Sequence, residues 1–282
     1  MAGGENSPPR LKRSGTAPSM PRIAATALAI AVLVAIVALL AGVRAEFNPW
    51  GRVSPSQADG GPVVGFVFAM FSAFGSGLGL AAIVGVAVLA LVNAGRRDDA
   101  AFVGIAVFGA VILSRPLKAY FLAVRPASPE WVATSLINAE AVVVFAVCVA
   151  LGIGALTRWR VWVAAALAVG LAALVVEALV GTLIPIAAGY DSFPSGHAMN
   201  SMTFAAALAT LAWSSPRARY PVLAASAAYV LGVGLSRVYL HAHFPADVAA
   251  GWCIALAWAT ALRVLWVALV PAKTSSGASG RP

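Results

Sequence analysis

The chain has 282 residues, of which 61% are hydrophobic and only 10% are charged, and its mean hydropathy is +0.90. This composition excludes a soluble globular domain and predicts an integral membrane protein. The formal net charge of +9 could indicate nucleic-acid binding. However, the basic residues are scattered over short segments between apolar stretches, as the positive-inside bias predicts, so no nucleic-acid partner is expected.

The N-terminal part of the chain consists of a polar tail and a first apolar run. Residues 1–22 are rich in proline and basic residues and cannot bury enough surface to fold, which predicts a disordered cytoplasmic tail. The uncharged run Ile23–Val43 is longer than the core of a signal peptide. It therefore predicts a first membrane span that is not cleaved.

The next apolar run, residues 62–93, carries no charge and is too long for one straight span. As a single helix it would measure about 48 Å, against a hydrocarbon core of about 30 Å. Three glycines between residues 75 and 79 offer a break. We predict an interfacial or re-entrant piece at Pro62–Phe74 and a second span at about Gly77–Val92.

Six more spans complete a predicted total of eight. They are Ala100–Val124, Ser135–Leu156, Val161–Ala187, Ala198–Trp213, Val222–Leu235 and Ala246–Val270. The predicted fold is all-α, a polytopic membrane helix bundle in one domain over residues 23–271, with a cytoplasmic tail at 272–282. If the N-terminus is cytoplasmic, three polar islands fall on the outer face.

The first island lies at the end of the third span. Lys118 and Arg125 are seven residues, or two helical turns, apart, so both stand on one face and could bind one anion. Arg115 lies on the same face and is a further candidate. Considered alone, this island is explained equally well by basic side chains that extend to the membrane interface.

The other two islands contain every histidine of the chain. Ser195 and Gly196 precede His197 at the start of the sixth span, where free backbone N–H groups favour an anion. At the junction of the last two spans, His243 stands four residues before Asp247, close enough for the carboxylate to orient the imidazole. An ordinary helix cap or an interfacial histidine could explain either island alone. Neither explains why three polar islands fall on the same face of the membrane.

Together the islands resemble the three signatures of the type 2 phosphatidic acid phosphatase superfamily. The matching segments are Lys118-x6-Arg125-Pro126, Pro194-Ser195-Gly196-His197 and Ser236-Arg237-x5-His243-x3-Asp247. The resemblance covers roughly the C-terminal two-thirds of the chain. It implies a type 2 phosphatidic acid phosphatase-like core that hydrolyses a lipid phosphomonoester or diphosphate, of the phosphatidate or polyprenyl type.

The resemblance also implies roles for individual residues. His243 would attack phosphorus and form a phosphohistidine, Asp247 would orient His243, and His197 would protonate the leaving oxygen and later activate water. The phosphate oxygens would be held by Lys118, Arg125, Ser195, Gly196 and Arg237. The positive charges of Lys118, Arg125 and Arg237 would replace magnesium, so no metal and no cofactor are expected. The expected location is the plasma membrane, with the site facing outside, and the oligomeric state stays open.

The sequence departs from the family pattern in two places. Between the first two signatures lie 67 residues, Ala127–Phe193, which hold two extra spans at about 135–187. The position two before the nucleophile is commonly glycine in relatives but is His241 here, so His241 is a second candidate nucleophile. Glu140 and Glu177, within the extra spans, are assigned no catalytic role.

Three classes of function remain open at this point. A phosphatase would transfer the phosphoryl group from the histidine to water, whereas a phosphotransferase would transfer it to an alcohol. An anion or lipid transporter would use the basic cluster as a binding site, and the number of spans favours it. A haloperoxidase is disfavoured, because its small diffusible substrate does not require a membrane.

Overall fold

The computed structural model describes residues 20–44, 61–126, 175, 179–187 and 189–270. The described part contains seven long helices and no strand, which confirms the all-α prediction. The helices are α1 (Met20–Val43), α2 (Gly61–Gly75), α3 (Gly77–Asn93), α4 (Arg97–Phe121), α5 (Gly196–Ala212), α6 (Pro216–Tyr239) and α7 (Pro245–Leu269). A short helical stretch also covers residues 179–183.

Several of these helices are suited to a membrane. Within the described ranges, four are long and apolar enough to cross a bilayer, namely α1 over Ile23–Val43, α4, α6 and α7. The pair α2 and α3 bends by 56° around Ser76, as a broken span or a re-entrant loop would. Helix α5 has 17 residues, the lower limit of span length.

The count of eight spans stays a prediction. The predicted span Ser135–Leu156, together with most of Val161–Ala187, lies outside the described residues. The predicted break in the second apolar run is found at Ser76, between Gly75 and Gly77.

Helix α5 lies at the centre of the bundle and packs against α4, α6 and α7. Its buried Phe204 and Leu211 join a core with Phe102 and Val103 of α4 and with side chains from α3 and α7. Many buried positions are alanine, which allows helices to approach closely without the hydrophobic driving force that water would provide.

The N-terminal helices pack on the outside of this core. Helix α1 lies along α7, where its buried Val37 contacts the cluster of Phe193 and Ala250. Helix α2 packs against α6, and Tyr229 of α6 donates a hydrogen bond of 2.9 Å to the carbonyl oxygen of Phe74. This packing carries the end of α1 and the end of α2 to the same end of the bundle as the three polar islands.

Candidate active site

The three polar islands meet at one end of the bundle. The segment 189–195 connects them: the N–H of Ser195 donates to the carbonyl of Asp247 at 3.0 Å, and that of Ser192 to the carbonyl of Ala123 at 2.9 Å. A Cβ added at Gly251 would lie 2.7 Å from the carbonyl oxygen of Ser195, so this glycine allows α7 to approach the start of α5. The prediction that the islands lie close together therefore agrees with the geometry.

His243 is 2% exposed, and its hydrogen bonding leaves one ring nitrogen available. Its Nδ1 lies 2.7 Å from the carbonyl oxygen of Ser192. Because a carbonyl oxygen only accepts, Nδ1 must carry the proton, and Nε2 then keeps its lone pair. This is the tautomer that a nucleophilic histidine requires.

Asp247 is fully buried and its carboxylate is bound on both oxygens. Oδ2 accepts from the Ser192 hydroxyl at 2.5 Å and from the N–H of Phe244 at 3.0 Å, and Oδ1 accepts from Nε of Arg44 at 2.5 Å. Oδ2 lies 3.6 Å from Nδ1 of His243, beyond a direct hydrogen bond. The carboxylate thus acts on His243 through its charge and through Ser192.

The surroundings of His243 keep it neutral at physiological pH. Burial lowers the pKa of His243, Asp247 opposes this effect, and the charges of Arg237, Lys118 and Arg125 lower it further, to about 4. The imidazole is therefore uncharged, and its Nε2 can attack, over the whole neutral range.

Lys118 and Arg125, the two basic residues of the first island, share one acidic partner. Arg125 donates to both carboxylate oxygens of Asp191, at 2.5 and 2.6 Å, and Nζ of Lys118 lies 3.7 Å from the same carboxylate. Burial raises the pKa of Asp191, but its hydrogen bonds from Arg125 and the charges of Lys118 and Arg125 outweigh this and bring it to about 2. Asp191 is thus ionised and holds the two cations side by side.

The second island lies directly against Lys118. A Cβ at Gly196 would be 3.0 Å from Oγ of Ser114 and 3.8 Å from Nζ of Lys118, so a larger residue would fill the space beside the lysine. The Ser195 hydroxyl is buried without a hydrogen-bond partner, which is costly unless a ligand supplies one. His197 packs against α2, since a Cβ at Gly75 would be 3.2 Å from its Cδ2.

The surroundings of Arg237 differ from those of Arg115. Arg237 is 5% exposed and donates from Nη1 to the hydroxyl of Ser72 in α2. Arg115 donates to the carbonyls of Ile184 at 2.9 Å and Gly181 at 3.4 Å. Its guanidinium therefore supports the chain that leads into the second island, and Arg115 also lines the same cavity as Lys118 and Arg125.

Four polar residues of the site were not among the sequence candidates: Arg44, Ser72, Asp191 and Ser192. Asp191 and Ser192 lie three and two residues before the second signature, and a charged residue beside an apolar helix was a usable signal. Arg44 carried a weaker signal, as the basic residue that directly follows the apolar run Ile23–Val43. Ser72 gave no signal, because a serine in an apolar helix is common.

A cavity of about 780 Å³ begins at the site and continues between α3 and α4. At one end it is lined by His197 and Lys118, and at the other by Val92 and Arg97. Between them its walls are mainly apolar, with Leu80, Val84, Val88, Ile105, Phe108, Val111 and Ile112. The polar site is thus the head of a long apolar cavity.

Comparison with known proteins gives one match. A family model described as the PAP2 superfamily matches residues 80–270, which include all three polar islands. No curated protein and no solved structure matches the chain.

Proposed function

The chain belongs to the PAP2 superfamily, whose members are generally phosphatases, and on this premise we propose that it is a metal-independent lipid phosphatase. The observation that supports this most directly is that His197, Lys118 and Arg125 line one end of an apolar cavity. The buried His243 lies close enough to Lys118 and Arg125 for their charges to lower its pKa. The basic residues suit a phosphate and the cavity suits an apolar chain.

In the first proposed step, Nε2 of His243 attacks phosphorus and the bond from phosphorus to the leaving oxygen breaks. Lys118, Arg125 and Arg237 neutralise the equatorial oxygens, which carry the charge in the transition state. His197 carries a proton once the anionic phosphate is bound beside it, and it donates that proton to the leaving oxygen. The products are a phosphohistidine at His243 and the free lipid alcohol, or a lipid monophosphate when the substrate is a diphosphate.

In the second step, water resolves the phosphohistidine. His197, now neutral, takes a proton from the attacking water, and the bond between phosphorus and Nε2 breaks. Inorganic phosphate leaves and His243 returns to its starting tautomer, which the carbonyl of Ser192 holds throughout. The charge of Asp247 favours the phosphohistidine, because the phosphorylated ring is positive while Nδ1 keeps its proton.

The length of the cavity supports a long-chain substrate. From Arg97 to Lys118 the wall of α4 extends 21 residues, or about 31 Å, close to the full hydrocarbon thickness of about 30 Å. A chain that starts at one face and fills this length exceeds one leaflet, which favours a polyprenyl chain over a diacylglycerol. The apolar walls also argue against an anion transporter, which needs polar groups along its path.

We place the site on the outer face of the plasma membrane. Arg96 and Arg97 begin α4, and Arg217 and Arg219 begin α6, so these four arginines lie at the end of the bundle opposite the site. The positive-inside bias assigns that end to the cytoplasm.

The proposal is tested by a phosphate-release assay of the purified protein against phosphatidate, phosphatidylglycerophosphate, and polyprenyl monophosphate and diphosphate. Release of inorganic phosphate from a polyprenyl substrate is the expected result. A phosphorylated alcohol without inorganic phosphate would identify a transferase instead, and inactivity on all four lipids would contradict the proposal.

Metal independence gives a first prediction. Activity should survive EDTA, because Lys118, Arg125 and Arg237 supply the positive charge that magnesium supplies in other phosphoryl-transfer sites. Vanadate should inhibit, since it adopts the geometry of pentavalent phosphorus. The measurement is initial rate with each additive. Complete loss in EDTA that magnesium restores would contradict the mechanism.

The cavity gives a second prediction, at Gly104 in the middle of α4. A Cβ at this position meets no atom within 4 Å and points into open space along the cavity. Gly104→Trp should raise KM for a long-chain lipid phosphate roughly tenfold, because displacing two methylenes removes about 1.6 kcal/mol of burial. Hydrolysis of a short soluble phosphate ester should be unchanged.

A matched control is Gly42→Trp in α1, where a Cβ also meets no atom within 4 Å but the position lies outside the cavity. It should leave KM for both substrates unchanged. If Gly104→Trp and Gly42→Trp behave alike on the long-chain lipid, the cavity does not bind the chain.

A further inference from the structure

Arg44 follows the last residue of α1, well before the region 80–270 that the family model matches. Its side chain is only 15% exposed and lies at the candidate site. It reaches a residue 203 positions later in the chain, because α1 packs along α7 and ends beside the first turn of that helix.

Three contacts fix the Arg44 guanidinium. Nε donates to Oδ1 of Asp247 at 2.5 Å, and Nη2 donates to the carbonyl oxygen of Val124, next to Arg125. The guanidinium carbon also stands 4.8 Å from the ring centre of Phe244. Arg44 therefore connects the residue that carries the orienting charge with the residue before a phosphate-binding arginine.

The other contacts of Asp247 show what Arg44 adds. The hydroxyl of Ser192 and the N–H of Phe244 both bind Oδ2, so Arg44 makes the charged contact to Oδ1. A fully buried carboxylate is costly unless it is paired and hydrogen-bonded. Arg44 supplies that pairing and fixes the plane of the carboxylate.

We propose that Arg44 is a positioning residue for Asp247, so that a helix outside the matched region completes the active site. The inference rests on the proposed phosphatase function and adds a residue to its machinery. The hydrogen bonds of Arg44 go to the carboxylate of Asp247 and to the backbone carbonyl of Val124, so its effect on His243 passes through Asp247.

A positioning role has a signature in the pH profile. Without Arg44, the negative charge of Asp247 would act on His243 undiminished and raise its pKa from about 4 toward its usual 6.5. A protonated His243 cannot attack, so the acidic limb of kcat/KM should move upward in pH. The other charged or titratable groups that face His243 are unchanged: Lys118, Arg125, Asp191, His197 and Arg237.

The experiment compares Arg44→Gln, Arg44→Lys and the control Arg219→Gln in the full-length protein with a lipid phosphate that the wild type hydrolyses. Arg44→Gln should lower kcat roughly 10- to 100-fold, as happens at metal sites when a residue that hydrogen-bonds a metal ligand is lost. Its KM should stay within twofold of the wild-type value, and the acidic limb of its kcat/KM profile should move to higher pH. Arg44→Lys keeps the charge, so it should keep the wild-type limb and recover part of kcat. Arg219→Gln removes an exposed arginine that hydrogen-bonds Tyr220, and should match the wild type.

A double-mutant cycle keeps the inference testable if Arg44→Gln folds poorly. Adding Arg44→Gln to Asp247→Asn removes both buried charges, and should change kcat less than twofold relative to Asp247→Asn alone. If Arg44 has a purely structural role, the losses of kcat in the two single variants should add in the double variant. The acidic limb of the kcat/KM profile of Arg44→Gln should then stay at the wild-type pH. Either result would overturn the inference. If the wild type and Arg219→Gln are active and Arg44→Gln has the same kcat and pH profile, the proposed role of Arg44 is wrong but the phosphatase function is supported. If the wild type releases no phosphate from any lipid, both fail.

Discussion

His243→Ala should abolish turnover and the phosphoenzyme, whereas His241→Gly should keep most of the activity. His243 is buried and has its Nδ1 held by the carbonyl of Ser192, so its Nε2 is fixed with a lone pair in place. An alanine leaves no atom that can form the bond to phosphorus. The measurement is steady-state phosphate release together with acid-quench detection of a phosphohistidine.

The geometry of His241 explains why glycine should be tolerated there. His241 has a φ of 53°, in the left-handed region that costs residues with a Cβ about 1–2 kcal/mol relative to the ordinary helical region. Glycine adopts this conformation without that cost, so His241→Gly should leave the turn intact. An inactive His241→Gly beside a His243→Ala that still forms phosphohistidine would show that the nucleophile is His241.

The polar islands could be found from the sequence because the membrane makes them conspicuous. A histidine or arginine beside an apolar span stands out, whereas in a soluble protein it would be one of many surface residues. The alternation of spans then places the ends of alternate helices at one face. The sequence alone therefore assigns three residues to one site, namely Lys118, His197 and His243.

The supporting residues could not be predicted in the same way, because they depend on how helices pack. Arg44 meets Asp247 only because α1 lies along α7 with one particular rotation and depth. Ser72 meets Arg237 only because α2 breaks at Ser76 and packs on α6. Hydropathy gives the length of a span, but not its neighbour or its rotation.

The hydrogen-bond partner of Nδ1 of His243 could not be predicted from the sequence either. The spacing of His243 and Asp247 predicts that the carboxylate orients the ring directly. In the structure the carboxylate is 3.6 Å away, and the backbone carbonyl of Ser192 is 2.7 Å away. A backbone carbonyl carries no mark in the sequence, so its contribution becomes visible only when the segment 189–195 is placed against α7.

Asp247→Asn should lower kcat by up to about 10⁴, the loss seen when asparagine replaces the orienting aspartate of a catalytic triad. The carboxylate accepts from three donors, and an asparagine side chain offers only one oxygen. Its amide would therefore face a donor, and the charge that favours the phosphorylated ring would be lost. Because the carbonyl of Ser192 still holds the tautomer, some phosphoenzyme should form, unlike in His243→Ala.

Asp191→Asn is the matched control, since it removes a carboxylate from the other side of the same site. Asp191 holds Lys118 and Arg125 and lies on the phosphate-binding side, so this change should act mainly on KM and keep kcat within about tenfold. Measuring kcat and KM separately for both variants distinguishes the two carboxylates. A kcat of Asp247→Asn within tenfold of the wild type would mean that Ser192 alone orients His243, and that the charge of Asp247 serves the fold and not the reaction.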